Sequence, residues 1–100
     1  MSEKIYYVYF ITNKYNNVIY TGVTNDLKRR IWEHREGKTK GFASRYNCRK
    51  LVYFEVFGEI NDALIREGKL KRYTRERKDE LVNRENPAWE DRWEQIAHWN

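Results

Sequence analysis

The chain is poor in the residues that build covalent or rigid frameworks, since its 100 positions hold one cysteine, one proline and five glycines. The lone Cys48 excludes an internal disulfide framework. No apolar run is long enough to cross a bilayer, and the N-terminus lacks the cationic, apolar and cleavable pattern of a signal peptide. We therefore expect a cytoplasmic protein with no membrane partner.

Several sequence signatures of catalysis are missing as well. The chain has no CxxC pair and no His/Cys cluster of the kind that binds zinc. It lacks the glycine-rich loops GxxxxGK[ST] and GxGxxG, and neither Ser44 nor Cys48 stands in the sequence context of a known nucleophile. These absences argue against zinc sites, nucleotide-binding loops and covalent catalysis by serine or cysteine.

Large side chains are abundant instead: eight tyrosines, four tryptophans and four phenylalanines. Disordered chains lack such residues, whereas a compact core is readily filled by them. At 100 residues the chain is long enough for one domain and too short for two. We expect one domain over residues 1–100, with a core at about 4–86 and a Trp-rich C-terminal helix at about 88–99.

The positive charge is concentrated in the middle of the chain. The formal net charge is +5 overall, +7 over residues 28–50, +5 over 66–78 and −4 over 79–100. A polyanion would therefore be attracted to the middle and repelled by the C-terminal end. Charge alone leaves an ordinary solvated surface as an equal alternative to nucleic-acid binding.

The pattern of apolar and turn-forming residues predicts the order β-β-α-β-α-α-α, a three-stranded sheet covered by helices in the α+β class. Aromatic and β-branched runs predict the strands, and cap residues followed by helical spacing predict the helices. The basic stretch 37–47 is predicted as a loop with room for a short turn. The predicted strands are about 5–12, 18–23 and 51–57, and the predicted helices about 26–36, 61–73, 75–84 and 89–99.

Side-chain periodicity indicates how these elements pack. Both faces of the first strand are apolar, which favours a central position in the sheet. Gly22 leaves room on the second strand for another backbone or a ligand to approach closely. The first helix carries Leu27, Ile31 and His34 on one buried stripe, and the last is expected to carry Trp89, Trp93 and Ile96 on one side. These six side chains are predicted to pack against the rest of the domain.

Tyr9 and Tyr20 are the tyrosines with a chemical as well as a packing interpretation, because a short hairpin can set them side by side. A phenol donates a hydrogen bond to a phosphate oxygen, or accepts a proton if it is itself deprotonated. Arg30 borders the buried stripe of the first helix and is either a surface arginine or a forked donor to phosphate. His34 is either a half-buried histidine or a phosphate contact and proton shuttle.

Glu67 and Asn86 complete the candidate residues. Glu67 stands four residues before Lys71, so an ordinary intrahelical ion pair is one interpretation. The other is a single carboxylate ligand for a hard cation such as Mg²⁺, which takes the rest of its ligands from water and phosphate. Asn86 precedes Pro87 and either starts a turn or holds a site residue by hydrogen bonding.

The order of these segments forms a family pattern. Tyr7-Val8-Tyr9, ten further residues, Tyr20-Thr21-Gly22 and then the segment 25–34 resemble the GIY-YIG nuclease superfamily. The stretches 41–47, 50–55, 63–71 and 86–89 resemble its small stand-alone bacterial members, which are often labelled uncharacterised or putative endonucleases. Tyr7 and Thr21 depart from the motif residues, and Gly68 stands where a helix former is usual, but no functional group is lost.

The resemblance implies a fold, a reaction and a set of residues. The fold is a three-stranded antiparallel sheet flanked by helices, and the reaction is metal-assisted hydrolysis of a DNA phosphodiester with one Mg²⁺ or Mn²⁺. One tyrosine is the general base for the attacking water and the other positions water or phosphate. By position, the implied catalytic set is Tyr9, Tyr20, Arg30, His34, Glu67 as the metal ligand, and Asn86 in support.

DNA is the implied partner, with RNA not excluded, and basic residues would contact its phosphates. Two alternatives stay open. One is a nucleic-acid-binding module without turnover. The other is an interaction protein whose Trp-rich C-terminal segment contacts a partner. The expected nucleic-acid contacts are Lys28, Arg29, Lys38, Lys40, Arg45 and Lys71.

Overall fold

The computed structural model describes residues 4–99. Eight elements follow one another in the order β-β-α-α-β-α-α-α. They are β1 (Tyr6–Thr12), β2 (Ile19–Thr24), α1 (Leu27–Arg35), α2 (Phe42–Arg45), β3 (Lys50–Phe57), α3 (Ile60–Arg72), α4 (Arg75–Glu85) and α5 (Trp93–Ala97). The predicted α+β class is confirmed. The predicted order lacked α2, because this helix has only four residues and lies within the stretch predicted as a loop.

The three strands form one antiparallel sheet in the order β2-β1-β3. β1 is the central strand, as the apolar character of both its faces predicts. On one face Tyr9 and Ile11 pack with residues of α1, α2 and α5; on the other, Val8 and Phe10 pack with α3 and α4. The side-chain alternation along β1 therefore separates two buried clusters, one on each face of the sheet.

The C-terminal segment differs from its prediction. Helix α5 spans five residues rather than the whole of 89–99, and Trp89 has a backbone φ of 54°, which a helix does not allow. Trp93 and Ile96 pack on the α1 face of the sheet, whereas Trp89 packs on the α3 face. The reason lies in the Asn86 side chain, which hydrogen-bonds the backbone N–H and carbonyl of Glu90 and holds this stretch as a turn.

None of the helices described within residues 4–99 is long and apolar enough to cross a membrane. Three tryptophans of the C-terminal region, Trp89, Trp93 and Trp99, are half-buried against the domain. Trp99 packs with Tyr7 and Phe54, at ring-centroid distances of 5.8 Å in both cases. These rings cover the sheet, and part of each remains exposed.

Candidate active site

Strand pairing brings Tyr9 and Tyr20 together. In the β1–β2 register Tyr9 lies opposite Gly22 and Ile11 opposite Tyr20, so the two tyrosines are diagonal neighbours on one face. Their ring centroids are 6.4 Å apart. A Cβ atom added to Gly22 would collide with the Tyr9 hydroxyl. The close approach predicted at Gly22 is therefore made by the Tyr9 ring, not by a ligand or another backbone.

Helix α1 starts two residues after β2 and lies across the same face. Asp26 caps it by accepting a hydrogen bond from the Arg29 N–H at 3.2 Å. Leu27 and Ile31 are buried beneath the helix, as is His34, which is 3% exposed. The stripe predicted from the 3.6-residue period is thus confirmed, and one turn of this helix separates Arg30 from His34.

His34 connects the tyrosines to a loop. Its Nε2 lies 3.0 Å from the Tyr9 hydroxyl, and its Nδ1 lies 3.1 Å from the Thr39 hydroxyl. Its ring centroid is 5.8 Å from that of Tyr20. Burial, and secondarily the Arg30 charge, lowers the pKa of His34 to about 4. The imidazole is therefore neutral at pH 7, with one proton to share between its two hydroxyl partners.

The pKa of Tyr9 is shifted as well. Burial raises the pKa of Tyr9 to about 12, and the Arg30 guanidinium opposes that rise. The Tyr20 hydroxyl and the Glu67 carboxylate add to the rise. Tyr9 is accordingly a neutral phenol at pH 7. Its hydroxyl hydrogen-bonds His34, and Tyr20, Arg30 and Glu67 contribute to its pKa.

Arg30 is held at the edge of the site. Its side chain is 39% exposed, and one guanidinium nitrogen donates to a Glu33 carboxylate oxygen at 3.3 Å. The guanidinium also acts on the Tyr9 hydroxyl. An anion reaching Tyr9 would therefore meet a forked donor that is already positioned by Glu33.

Glu67 lies on α3, whose buried residues pack on the other face of the sheet. Its carboxylate is 18% exposed and lies 3.5 Å from the Lys71 ammonium, so the predicted intrahelical pair is present. Its charge also contributes, as the smallest of the causes, to the high pKa of Tyr9. The intrahelical pair is thus observed, and the metal-ligand role of Glu67 stays a prediction.

The donor set suits one hard cation. Among residues 4–99 no three His, Cys, Asp or Glu side chains lie together as a preformed metal cage. Glu67 offers a single carboxylate, 18% exposed, whose charge acts on the pKa of Tyr9. Mg²⁺ is commonly held by one or two carboxylates, with waters and phosphate oxygens completing its ligands, so the residues present fit such an ion.

Asn86 is not brought to this cluster. Its amide nitrogen donates to the carbonyls of Val52 at 3.1 Å and Glu90 at 2.9 Å, and its amide oxygen accepts from the Glu90 N–H at 3.1 Å. Asn86 is also the residue after α4, whose last turn it closes. The side chain thus ties α4 and the C-terminal turn to β3, and its hydrogen bonds reach none of the other candidate residues.

The side chains predicted to contact phosphate differ in their exposure and in whether they already interact with other groups. Lys28 donates to the Trp99 carbonyl at 2.7 Å, and the Lys38 ammonium lies 5.4 Å above the Trp32 ring. Arg29 is 75% exposed, and Lys40 and Arg45 are exposed too. Lys71 is engaged with Glu67. Arg29, Lys40 and Arg45 are therefore the most accessible cations of the predicted set.

Two residues of the site escape sequence reasoning. Thr39 hydrogen-bonds His34 from the loop after α1, and Phe42 of α2 stacks on Tyr20 at a centroid distance of 6.3 Å. Both lie in a stretch without regular periodicity, so residue spacing does not predict which way their side chains face. The one indication in the sequence is His34: a histidine on a buried stripe needs hydrogen-bond partners, and a nearby loop can supply one.

Comparison with known proteins agrees with this geometry. Residues 5–80 match the family model of the GIY-YIG catalytic domain. The chain is 37% identical to a UPF0213 protein of Haloquadratum walsbyi over 77 residues, which cover 77% of this chain and 86% of the relative. It is 38% identical to a UPF0213 protein of Clostridium perfringens, also over 77 residues, with 77% and 82% covered.

A solved structure has the same fold. The solution NMR structure of a UPF0213 protein from Bacillus halodurans superposes with a TM-score of 0.56 at 31% identity. The match covers 87% of this chain and 92% of that one. The antiparallel sheet with flanking helices that the resemblance implied is confirmed. The chain therefore belongs to the GIY-YIG catalytic-domain family, within the nuclease superfamily of that name, and its relatives there are UPF0213 proteins.

Proposed function

We propose that this protein is a metal-dependent endonuclease that hydrolyses DNA phosphodiester bonds. One observation carries the proposal: the Tyr9 hydroxyl hydrogen-bonds His34 and its ring packs beside Tyr20, while the charges of Arg30 and Glu67 act on its pKa. Such a set combines a proton-transfer path, a fixed cation and a carboxylate. Hydrolysis of a phosphodiester requires each of these, because a water must lose a proton while negative charge grows on the phosphate.

Arg30 and Glu67 are the charged parts of the proposed mechanism. The Arg30 guanidinium, already oriented by Glu33, donates to the phosphate oxygens on which charge develops. Glu67 would hold the Mg²⁺ or Mn²⁺, and such an ion would further neutralise that charge when bound. Glu67 must leave its pairing with Lys71 partly or wholly for this role, and the 3.5 Å separation of the two groups makes that exchange easy.

Tyr9 acts with His34 rather than alone. With a pKa of about 12, forming a free Tyr9 phenolate at pH 7 costs about 7 kcal/mol. Passing the Tyr9 proton to His34 Nε2 while the phenol oxygen takes a proton from water leaves a histidinium instead. With a pKa of about 4, His34 is a weak base at pH 7, and holding that proton costs about 4 kcal/mol. The relay through the 3.0 Å hydrogen bond nevertheless needs no free Tyr9 phenolate at any step.

Tyr20 is the second phenol of the site, and it is half-buried. Its ring packs against both Tyr9 and His34. From there its hydroxyl is suited to orient the attacking water or a phosphate oxygen, which is a positioning role. The accessible cations Arg29, Lys40 and Arg45 would hold the flanking phosphates.

The proposal is tested by replacing the metal ligand. Supercoiled plasmid is incubated with wild type and with Glu67→Gln, with Mg²⁺, with Mn²⁺ and with EDTA. We expect wild type to nick the plasmid only with metal and Glu67→Gln to lose about a thousandfold in rate, since a catalytic metal contributes several kcal/mol. The exposed Glu80 on α4 provides the matched control, and Glu80→Gln should cleave like wild type.

Two results would contradict the proposal. One is the absence of cleavage by wild type on plasmid, branched, single-stranded and RNA substrates with either metal. The other is full activity of Glu67→Gln. Salt-sensitive DNA binding by wild type that needs no metal, combined with the first result, would support a binding module without turnover.

A further inference from the structure

A second feature of the surface lies outside the tyrosine–histidine cluster. A cleft of about 580 Å³ opens between the β1–β2 turn and the segment that joins α2 to β3. Tyr15 and Lys14 line it on the turn side, and Tyr46, Arg49 and Lys50 line it on the other. None of the candidate active-site residues is part of its wall. The cleft is therefore a separate place on the molecule that could bind a ligand.

The charge of the cleft is positive. Its wall also contains Arg35 and the acidic residues Glu36 and Asp91. Arg35 pairs with Asp91, whose other oxygen accepts hydrogen bonds from two backbone N–H groups, so this acid is fully engaged. Against the one remaining acid, Glu36, stand three cations, which favours an anionic ligand.

The cleft also presents aromatic surface to solvent. Tyr15 is 71% exposed and Tyr46 43% exposed, although both rings would gain by burial. Phe42, 48% exposed, packs on Tyr46 at a centroid distance of 4.6 Å and on Tyr20 at 6.3 Å. A continuous row of rings thus leads from Tyr20 in the candidate active site, over Phe42 and Tyr46, into the cleft.

Cations interleaved with exposed rings are the features of surfaces that bind nucleic-acid strands whose bases are unpaired. Backbone phosphates pair with the cations, and bases stack on the rings. A duplex cannot use the rings in this way, because its bases are stacked on each other and present only their edges. Arg45, between Phe42 and Tyr46 in the sequence, adds a further exposed cation beside the row.

We propose that the aromatic row and the cleft bind an unpaired stretch of DNA that flanks the cleaved phosphate. The proposal rests on the proposed function in so far as the strand enters the cleft from the active site. It makes the substrate a DNA with single-stranded character next to the scissile bond. Tyr46 and Tyr15 each stack a base, and Arg49 contacts a phosphate between them.

Binding is measured without cleavage. A dye-labelled oligodeoxythymidine of about 12 nucleotides is titrated in EDTA, and its anisotropy gives Kd. We expect Tyr15→Ala and Tyr46→Ala each to weaken binding about tenfold, while Tyr15→Phe and Tyr46→Phe bind like wild type because the ring face is kept. Arg49→Ala should weaken binding and flatten its salt dependence, whereas Arg84→Ala on exposed α4 should not.

A duplex of the same length completes the design. The alanine variants should bind it as wild type does, because stacking does not contribute there. The proposal is overturned if wild type does not bind the oligodeoxythymidine, if the alanine variants bind it unchanged, or if they lose affinity equally for the duplex. Because metal is absent, a protein without nuclease activity would still give the expected binding result, so the two proposals fail separately.

Discussion

The two faces of the sheet each bury a tyrosine on a neighbouring strand, and the partners of the two hydroxyls differ. On the α1 face, Tyr9 meets the neutral His34 at 3.0 Å. On the α3 face, Tyr53 of β3 donates to the Glu55 carboxylate. Glu55 is itself held by two hydrogen bonds from Arg66, at 2.8 and 3.0 Å. The Tyr9 hydroxyl therefore hydrogen-bonds a base, whereas the Tyr53 hydroxyl hydrogen-bonds a carboxylate that is held in an ion pair.

This difference separates a reactive from a structural tyrosine. Burial raises the pKa of both phenols. At Tyr53 the hydrogen bond to Glu55 raises the pKa further, because the carboxylate accepts this bond only while the phenol keeps its proton. At Tyr9 the Arg30 guanidinium lowers the pKa, and His34 can receive the proton. Burial alone would not distinguish the two, whereas the partner of each hydroxyl does.

The largest expected effect comes from removing one hydroxyl at a time. Tyr9→Phe should lower the rate of DNA cleavage by about a thousandfold, because general acid–base contributions are of that order. Its melting temperature should fall only by the equivalent of what one neutral hydrogen bond contributes, about 1 kcal/mol, since the ring and its packing remain. Rates from plasmid nicking and melting curves from circular dichroism measure the two quantities.

Tyr53→Phe is the matched control. It should cleave like wild type but lose about 2 kcal/mol of unfolding free energy, the usual contribution of a hydrogen bond to a charged group. If Tyr53→Phe lost activity and kept its stability, the distinction between the two faces would be wrong.

The arginines of the two faces give the next largest effect. Arg30→Lys keeps the charge but not the fork that faces phosphate, so cleavage should slow by about a hundredfold with little loss of stability. Arg66→Lys should do the opposite, lowering the unfolding free energy by about 2 kcal/mol because Glu55 loses a two-pronged partner. Urea unfolding and initial cleavage rates are measured on both variants. If the two variants lost the same activity and the same stability, the predicted difference between Arg30 and Arg66 would be refuted.

Acid should weaken the α1 face specifically. His34 has a folded pKa of about 4 against an ordinary 6.5, so between these values the unfolded chain binds the proton and the folded one does not. Its contribution to stability is therefore complete above pH 6.5 and is lost as pH falls towards 4. At about pH 5 the loss should be about 2 kcal/mol.

The acid effect is isolated by a variant that does not titrate. Unfolding in urea near neutral pH and at about pH 5 is compared between wild type and His34→Gln. The variant should show a smaller loss on acidification, by about the 2 kcal/mol that His34 contributes. An identical loss in both proteins would mean that His34 is not held neutral by its surroundings.

Much of the α1 face could be predicted because local periodicity decides it. Alternation along β1 and β2 sets Tyr9 and Tyr20 on one face, and helical spacing sets Arg30 beside His34. Only two residues separate β2 from α1, so this short connection restricts the position of the helix relative to the sheet. Glu67 is different: its helix follows a third strand, and spacing leaves both the ion pair and the cation ligand open, so the choice between them rests on the family resemblance.

The errors occur where side chains override local pattern. The helical spacing of Trp89, Trp93 and Ile96 is real, yet the Asn86 amide bonds to Glu90 and prevents a helix from starting at Trp89. The same amide is engaged with Val52 and Glu90, and the supporting role of Asn86 in the site stays a prediction. Neither effect has a periodic signal, because each depends on which backbone groups one side chain reaches in the folded chain.

Thr39 gives the smallest and most specific test of the comparison. If Tyr9 donates to Nε2 of neutral His34, the remaining proton is on Nδ1 and donates to the Thr39 hydroxyl, 3.1 Å away. Thr39→Val keeps the shape and removes this acceptor, so the proton should shift to Nε2, which then can no longer accept from Tyr9. Cleavage should slow by about fivefold, the value of one neutral hydrogen bond, while Thr39→Ser stays near wild type. Nitrogen-15 chemical shifts of the imidazole report the tautomer without any reaction. An unchanged tautomer in Thr39→Val would show that the loop does not orient His34, and that Tyr9 alone sets its proton.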